Sequence, residues 1–270
     1  MAADIHSTAV VDDKARLGEG VVIGPYAVVE GDTVIGDGCR LDSFSQVKRY
    51  TVMGRDNHVH SYACVGDEPQ DISYKGEETR VIIGDGNAIR EHVTIHRGTV
   101  HGDGATRIGS HCMLMAYCHV GHDCVLGDHV IMANAANLGG HVTVGDHAVI
   151  SGLTAVQQFA RIGEYAFIGG MSGCAQDVPP YMLAYGVRAK LFGPNSIGLQ
   201  RHGFSSATRK AIKAAYKAVF RSETLREQAL DQVERDHADV PEVQRFVQFI
   251  RQSKRGIIPD TSKNGGTSGH

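Results

Sequence analysis

Tryptophan is absent from this 270-residue chain and the aromatic residues together reach only 6%, so a core built on large rings is excluded. No window approaches the roughly 18 unbroken apolar residues of a membrane span. The start, Met1 to His6, lacks the basic-then-apolar order of a signal peptide, and the expected location is the cytoplasm. Six cysteines occur without a Cys-x-x-Cys pair, which gives no support to a zinc or dithiol motif. Neither sign of charge dominates: 27 Lys+Arg stand against 30 Asp+Glu, which fits neither a polybasic nucleic-acid binder nor an acidic tail.

Glycine, by contrast, is plentiful at 33 of 270 residues, and an internal repeat explains why. An aliphatic residue recurs at every sixth position from Ile5 through Val11, Leu17 and Ile23 to Val65. The phase skips two beats, resumes at Ile83, Ile89 and Ile95, and after a second interruption runs from Ile108 through Val120, Leu138 and Val156 to Ile168. Gly often follows the aliphatic, as at Gly24, Gly36 and Gly121, and a small residue often stands four places on, as at Ala27 and Ala136. This pattern predicts a parallel β-helix of three short strands and 18 residues per coil, with coils about 4.8 Å apart. Glycine after the aliphatic is expected to ease the corner. Cys112, Cys118 and Cys124 then occupy small inward sites on three different walls and cannot meet; packing is the role assigned to them and to Cys39 and Cys174.

The two interruptions predict loops ejected from the prism at about 69–80 and 97–107, where function often resides. The β-helix is expected over 1–186 and a helical domain over 187–258. In the latter, Ile212, Ala215, Tyr216, Val219 and Phe220 mark an amphipathic helix capped by Ser205, Thr224 to Asp236 a second, and Pro241 the start of a third. Residues 259–270 read as a disordered tail. Charge is uneven: residues 1–200 hold 14 basic and 22 acidic side chains, residues 201–255 hold 12 and 7. Arg209, Lys210, Lys213, Lys217 and Arg221 make the first of these helices basic.

Positions 18 apart stack, so His122, Gly140 with His141, and Gln157 with Gln158 fall along one edge. If the second excursion inserts seven residues, His96 joins them, with His119 alongside. Several imidazoles converging beside two ejected loops point to general-base chemistry or to metal ligation. His6, His58, His129 and His147 instead occupy polar corner positions with no evident task. His119-x-x-His122 supplies two possible zinc ligands, but the gamma-class carbonic anhydrases pair histidines five apart, not three.

Taken together, the segments DEPQD (67–71), TIHRGT (94–99), CHVGHD (118–123), GGHV (139–142), AVQQF (155–159) and SGCAQDVPPY (172–181) resemble those of the UDP-N-acetylglucosamine O-acyltransferases that begin lipid A synthesis. The likeness extends over nearly the whole chain. It implies a left-handed coil, against the usual right-handed crossover, with a C-terminal α-helical domain. It also implies a homotrimer that moves an (R)-3-hydroxyacyl group from acyl carrier protein to the 3-hydroxyl of UDP-GlcNAc between adjacent subunits, without metal or organic cofactor. By resemblance His122 is the general base, Asp123 its orienting carboxylate and Gly140 N–H the oxyanion donor. Asp71, His96, His119, His141, Gln157, Gln158, Asn195, Arg201 and His202 bind substrate. Acyl carrier proteins are acidic, so the basic helix suits steering one in, a solvated helix face being the equally ordinary alternative. Gly170 and Met171 gauge the acyl chain, and glycine suits a length of about fourteen carbons.

Three positions depart from the family pattern: Gln157 where His is frequent, Ile197 where an acid occurs, and His202 where a second Arg is common. Glutamine hydrogen-bonds but cannot become a cation. The acceptor, UDP-GlcNAc or its 3-amino analogue, stays open. A zinc lyase of the carbonic-anhydrase type and a non-catalytic hexapeptide scaffold are the alternative readings.

Overall fold

Each hexad forms one short strand and a corner, and successive strands fall on three walls in turn. The computed structural model describes residues 2–261. Its parallel strands make three sheets of eleven, nine and eight strands, beginning at Asp4–Ile5, Val10–Val11 and Arg16–Leu17. Only the last strand of the first wall is antiparallel. The register is the expected 18-residue step, with Ile5 on Ile23, Val120 on Leu138 and Leu138 on Val156. The molecule is a left-handed parallel β-helix carrying C-terminal helices. Its aliphatic beats point inward: from Ile23 to Ile168 each is buried. Burying each such side chain contributes about 1.5–3 kcal/mol.

The corner works differently from the expectation. The left-handed backbone conformation falls three residues after the aliphatic, on side chains as large as Tyr50 (φ 64°) and Phe159 (φ 64°). The glycine immediately after the aliphatic serves close stacking instead. A Cβ on Gly36 would lie 2.5 Å from the carbonyl oxygen of Gly54 in the next coil. Non-glycine residues in this conformation cost about 1–2 kcal/mol each, and ring stacking from coil to coil helps offset it. At the corner between the first and second walls Tyr26, Phe44, Tyr62, His92 and Tyr117 form a continuous stack, with centroids 4.8–5.1 Å apart.

Cys112, Cys118 and Cys124 are buried and unpaired, and burial pushes their thiols up to about 11, 11 and 12. Cys39 and Cys174 are likewise buried and free. The first excursion leaves after Cys64–Asp67 and returns at Arg80–Ile83. The second is shorter than expected: Ala105–Ile108 is already a strand paired with Arg80–Ile83, so only residues 97–104 are ejected.

Beyond Cys174 the prism gains Met182–Tyr185, parallel to Phe167–Ile168, and Lys190–Pro194 then turns back antiparallel to it. Helices α1 (Ser196–Arg201), α2 (Ser206–Arg221), α3 (Arg226–Asp236) and α4 (Pro241–Arg251) follow. Ser205 caps α2 by accepting from Thr208 N–H at 3.0 Å. The apolar face expected of α2 is buried, and Val243, Phe246, Val247 and Ile250 of α4 pack beside it.

Residues 259–261 are not a tail. Leu191 N–H donates to Pro259 O at 2.8 Å, and Asp260 is buried, bonded to Tyr216 and 3.4 Å from Arg221. The remainder of the tail assigned from sequence, 262–270, lies outside the described residues.

Candidate active site

The site lies on the second wall, where the chain passes to the third. Thr94 pairs with His119 and Ile95 with Val120, so the seven-residue insertion does bring His96 to the edge carrying His122. The rings of His96 and His119 meet edge to face at 5.0 Å, and those of His122 and His141 at 5.1 Å. A cavity of about 380 Å³ is lined among others by Gln70, His96, His119, His122, Gly140 and Gln158, whereas His141 lines a neighbouring cavity with Phe159 and Arg161.

Asp123 anchors this arrangement from a left-handed corner position, φ 59°. Its carboxylate Oδ2 stands 2.8 Å from His122 Nδ1 and 3.7 Å from His141 Nε2. The second ejected loop wraps it: Thr99 donates its backbone N–H to Oδ1 at 2.9 Å and its hydroxyl to Oδ2 at 2.8 Å. Gly98 and Gly102 make that approach possible, because a Cβ on either would strike the carboxylate. Burial opposes the charged form of Asp123, but the bonds from His122 and Thr99 outweigh it and hold the carboxyl below its usual range. With His122 Nδ1 engaged by a carboxylate, Nε2 is left toward the cavity. A Cβ on Gly140 would lie 2.5 Å from that nitrogen. Glycine there keeps the space in front of the imidazole open, and no acceptor among the described residues takes its N–H.

The neighbouring histidines have other environments. His119 Nδ1 bonds Thr94 Oγ1 at 2.8 Å; burial, with His96 and His122 close by, pushes it down to about 4. His96 is buried, its Nδ1 has no partner, and burial lowers it despite the nearby Asp67 carboxylate. Burial lowers His141 as well, against the pull of Asp123. All three are thereby suited to neutral hydrogen bonding.

Other expected site residues are dispersed. Asp71 stands in the first ejected loop, its carboxylate accepting from Ser73 N–H and Oγ–H at 2.8 Å, which holds it low. Gln157 is exposed and does not line the cavity, whereas Gln158 does. Asn195 caps α1, accepting from Gly198 N–H at 3.1 Å and donating to Tyr165 O at 3.1 Å. With Arg201 it lines a separate cavity of about 440 Å³ beside Phe167 and Tyr185 on the first wall. His202 bonds Gly198 O at 2.9 Å and packs on His147 and Tyr165 at the corner between third and first walls. Gly170 and Met171 are exposed at the other edge of the second wall. Within one chain, therefore, the Asn195–Arg201 cavity and the His122 cavity occupy different walls.

Sequence reasoning missed Thr99, Gln70 and Arg97. Arg97 is buried, donates to Tyr74 Oη at 2.9 and 3.0 Å and to Gly66 O at 3.1 Å, and so ties the two ejected loops together. The TIHRGT segment was its only signal.

His122, Asp123 and His141 present one donor atom each within 4.8 Å. Thr99 already bonds both Asp123 oxygens, its N–H on Oδ1 and its hydroxyl on Oδ2, so neither is left free for a metal. His119, one of the two possible zinc ligands in His119-x-x-His122, spends Nδ1 on Thr94. The donor chemistry favours a hydrogen-bonded dyad over a metal centre.

Comparison with known proteins follows the same division. The family model described as Udp N-acetylglucosamine O-acyltransferase, Domain 2, matches residues 177–258, and the bacterial transferase hexapeptide model matches 14–49 and 105–140. An acyl-[acyl-carrier-protein]–UDP-N-acetylglucosamine O-acyltransferase of Thermodesulfovibrio yellowstonii is 49% identical over 254 residues, 94% of this chain and 98% of the relative. The structure of LpxA from Acinetobacter baumannii superposes with a TM-score of 0.92 at 43% identity, covering 94% of this chain and 99% of that one. That of the Francisella novicida UDP-N-acetylglucosamine acyltransferase gives 0.93 at 35%, covering 98% and 99%.

Proposed function

This chain belongs to the acyl-[acyl-carrier-protein]–UDP-N-acetylglucosamine O-acyltransferases, and from that premise we propose that it transfers an (R)-3-hydroxyacyl group to the sugar 3-hydroxyl with His122 as general base. The observation that carries the assignment is the His122–Asp123 bond of 2.8 Å with Nε2 left facing the Gly140 opening.

A sugar hydroxyl is a poor nucleophile at neutral pH. His122 Nε2 takes its proton as the oxygen attacks the thioester carbonyl, and Asp123 stabilises the imidazolium that forms. The carbonyl oxygen becomes an oxyanion, for which the Gly140 N–H is a suitably placed donor. Collapse breaks the carbon–sulfur bond, and the imidazolium returns its proton to the departing thiolate. His96, His119, His141, Gln158 and Asp71 hold the acceptor. His96 Nδ1, buried without a partner, is a natural contact for a substrate oxygen or N–H.

The Asn195–Arg201 cavity and the Gly170–Met171 corner complete the site from a neighbouring subunit of a homotrimer, binding nucleotide and acyl chain. The exposed Tyr117, Leu153 and Met171 along that corner are the apolar surface such an assembly would cover. Acyl carrier protein docks on the basic α2, and the enzyme works in the cytoplasm. Among the described residues no helix is long and apolar enough to cross a membrane.

The test is acyl transfer by wild type and His122→Ala, with UDP-GlcNAc and its 3-amino analogue, and 3-hydroxyacyl carrier proteins of about ten to fourteen carbons. Activity abolished in a folded His122→Ala enzyme supports the assignment. Undiminished transfer would remove it.

A further inference from the structure

A second cluster of donor side chains lies away from the catalytic cavity, on the first wall. Arg40–Leu41 and His58–Val59 are paired strands, and the ladder continues as Asp42 N–H donates to Val59 O at 2.8 Å. His58 and His60 flank the inward-pointing Val59, so both leave the same outer face, and Asp42 stands one coil below. His58 Nε2 is 2.8 Å and His60 Nδ1 3.5 Å from the same oxygen, Asp42 Oδ2. The two imidazoles stack at 3.7 Å, and all three donor atoms lie within 4.8 Å of one another.

We propose that Asp42, His58 and His60 form a binding site for a borderline divalent cation of the zinc class. Zinc takes nitrogen and carboxylate oxygen at about 2.0–2.2 Å in a tetrahedron, which separates adjacent donors by about 3.3 Å. The observed 2.8 and 3.5 Å bracket that spacing. The ligands come from two stacked coils of a rigid prism, so binding requires only that one imidazole turn out of the stack to aim its lone pair at the ion. Arg40 Nε donates to Asp42 Oδ1 at 2.8 Å, which fixes the carboxylate and turns Oδ2 toward the two rings. Three protein ligands leave a fourth position open to water or an exogenous donor, and the cation would clamp neighbouring coils.

The site competes with a proton. His58 Nε2 and Asp42 Oδ2 are bonded in the metal-free protein; from a neutral ring the cation sends the proton on Nε2 to Nδ1, from an imidazolium to solvent, so binding tightens as pH rises. The charged groups facing the cluster are Arg40 below it and Arg90 and Glu91 on the next coil; the two arginines oppose a bound cation and Glu91 favours it.

The experiment is calorimetric titration of the purified full chain with zinc chloride at two pH values, with cobalt(II) absorption as a report on ligand field. Wild type is expected to bind one equivalent, more tightly as pH is raised. His58→Gln/His60→Gln is expected to weaken binding at least about tenfold, as is Asp42→Asn should the double variant fail to fold. His122→Ala is expected to retain binding, which separates this site from the catalytic cluster. No saturable uptake by wild type, or uptake lost in His122→Ala and kept in His58→Gln/His60→Gln, overturns the proposal.

Discussion

The Asp123 carboxylate is bonded at once to His122 Nδ1 and to Thr99 Oγ1, each at 2.8 Å, so the base-orienting group is held by a loop that has left the β-helix. The scaffold supplies position through the coil register. The excursion supplies the hydrogen bonds that keep the carboxylate charged in a buried place.

Asp123→Asn preserves shape but removes the charge that stabilises an imidazolium at His122. A fall in kcat of about 10²- to 10⁴-fold is expected, with little change in KM for UDP-GlcNAc. Steady-state kinetics on the folded variant decide it; an equal loss placed in KM would assign Asp123 to substrate binding.

Thr99→Val keeps the backbone donation to Asp123 and removes the hydroxyl. A hydrogen bond to a charged group is worth about 1.5–3 kcal/mol, so kcat should fall by roughly tenfold or more, less than for Asp123→Asn. A kcat equal to wild type would mean that the loop contributes nothing to the dyad.

Gly140→Ala places a methyl group where His122 Nε2 meets the cavity. The φ of Gly140 is not in the left-handed region, so the backbone accepts alanine. Activity is expected to fall about 10²- to 10³-fold while the melting temperature stays near wild type. Loss of both together would show that Gly140 serves the fold rather than the reaction.

The coil architecture was legible because one physical rule, an inward aliphatic every six residues, repeats along most of the prism. The same arithmetic brought His96, His119, His122 and His141 together without any contact being known. It could not reach Thr99, whose bond to Asp123 spans 24 residues through a loop outside the repeat. Asn195 reads as a ligand in sequence, yet in this chain its side chain already caps α1. The polar run from Pro259 carries no sign that Asp260 returns to the Tyr216–Arg221 pair. For Thr99 and Asp260 a contact distant in sequence decides the role, and local pattern holds no record of it; for Asn195 the deciding contact is Gly198, three residues on.

Asp260 also ties the strand-like segment after Ile258 back to α2. Its side chain is fully buried, bonded to a Tyr216 hydroxyl that burial and the carboxylate push up to about 12. Asp260→Ala removes the acceptor of that hydroxyl, which Arg221 also bonds, and should cost about 1–3 kcal/mol. In a double-mutant cycle with Tyr216→Phe, the two losses should sum to more than the double variant loses. Strict additivity in urea melts would deny the contact.

The histidine cluster predicts acid sensitivity with a definite sign. His119 is pushed down to about 4, and His96 and His141 are lowered too, so between the ordinary histidine range near 6.5 and about 4 the unfolded chain binds more protons than the folded one. Stability therefore falls as pH drops through that window, and the contribution from His119 levels off once its folded form is protonated as well. The lowered Asp123 acts in the same direction further down, stabilising above the ordinary carboxylate range and losing that effect as pH falls. His119→Asn keeps a side-chain partner for Thr94 and removes the titrating ring. Urea melts at pH 7.5 and 4.5 should show a smaller drop for this variant than for wild type; an equal drop would move the acid sensitivity away from the cavity.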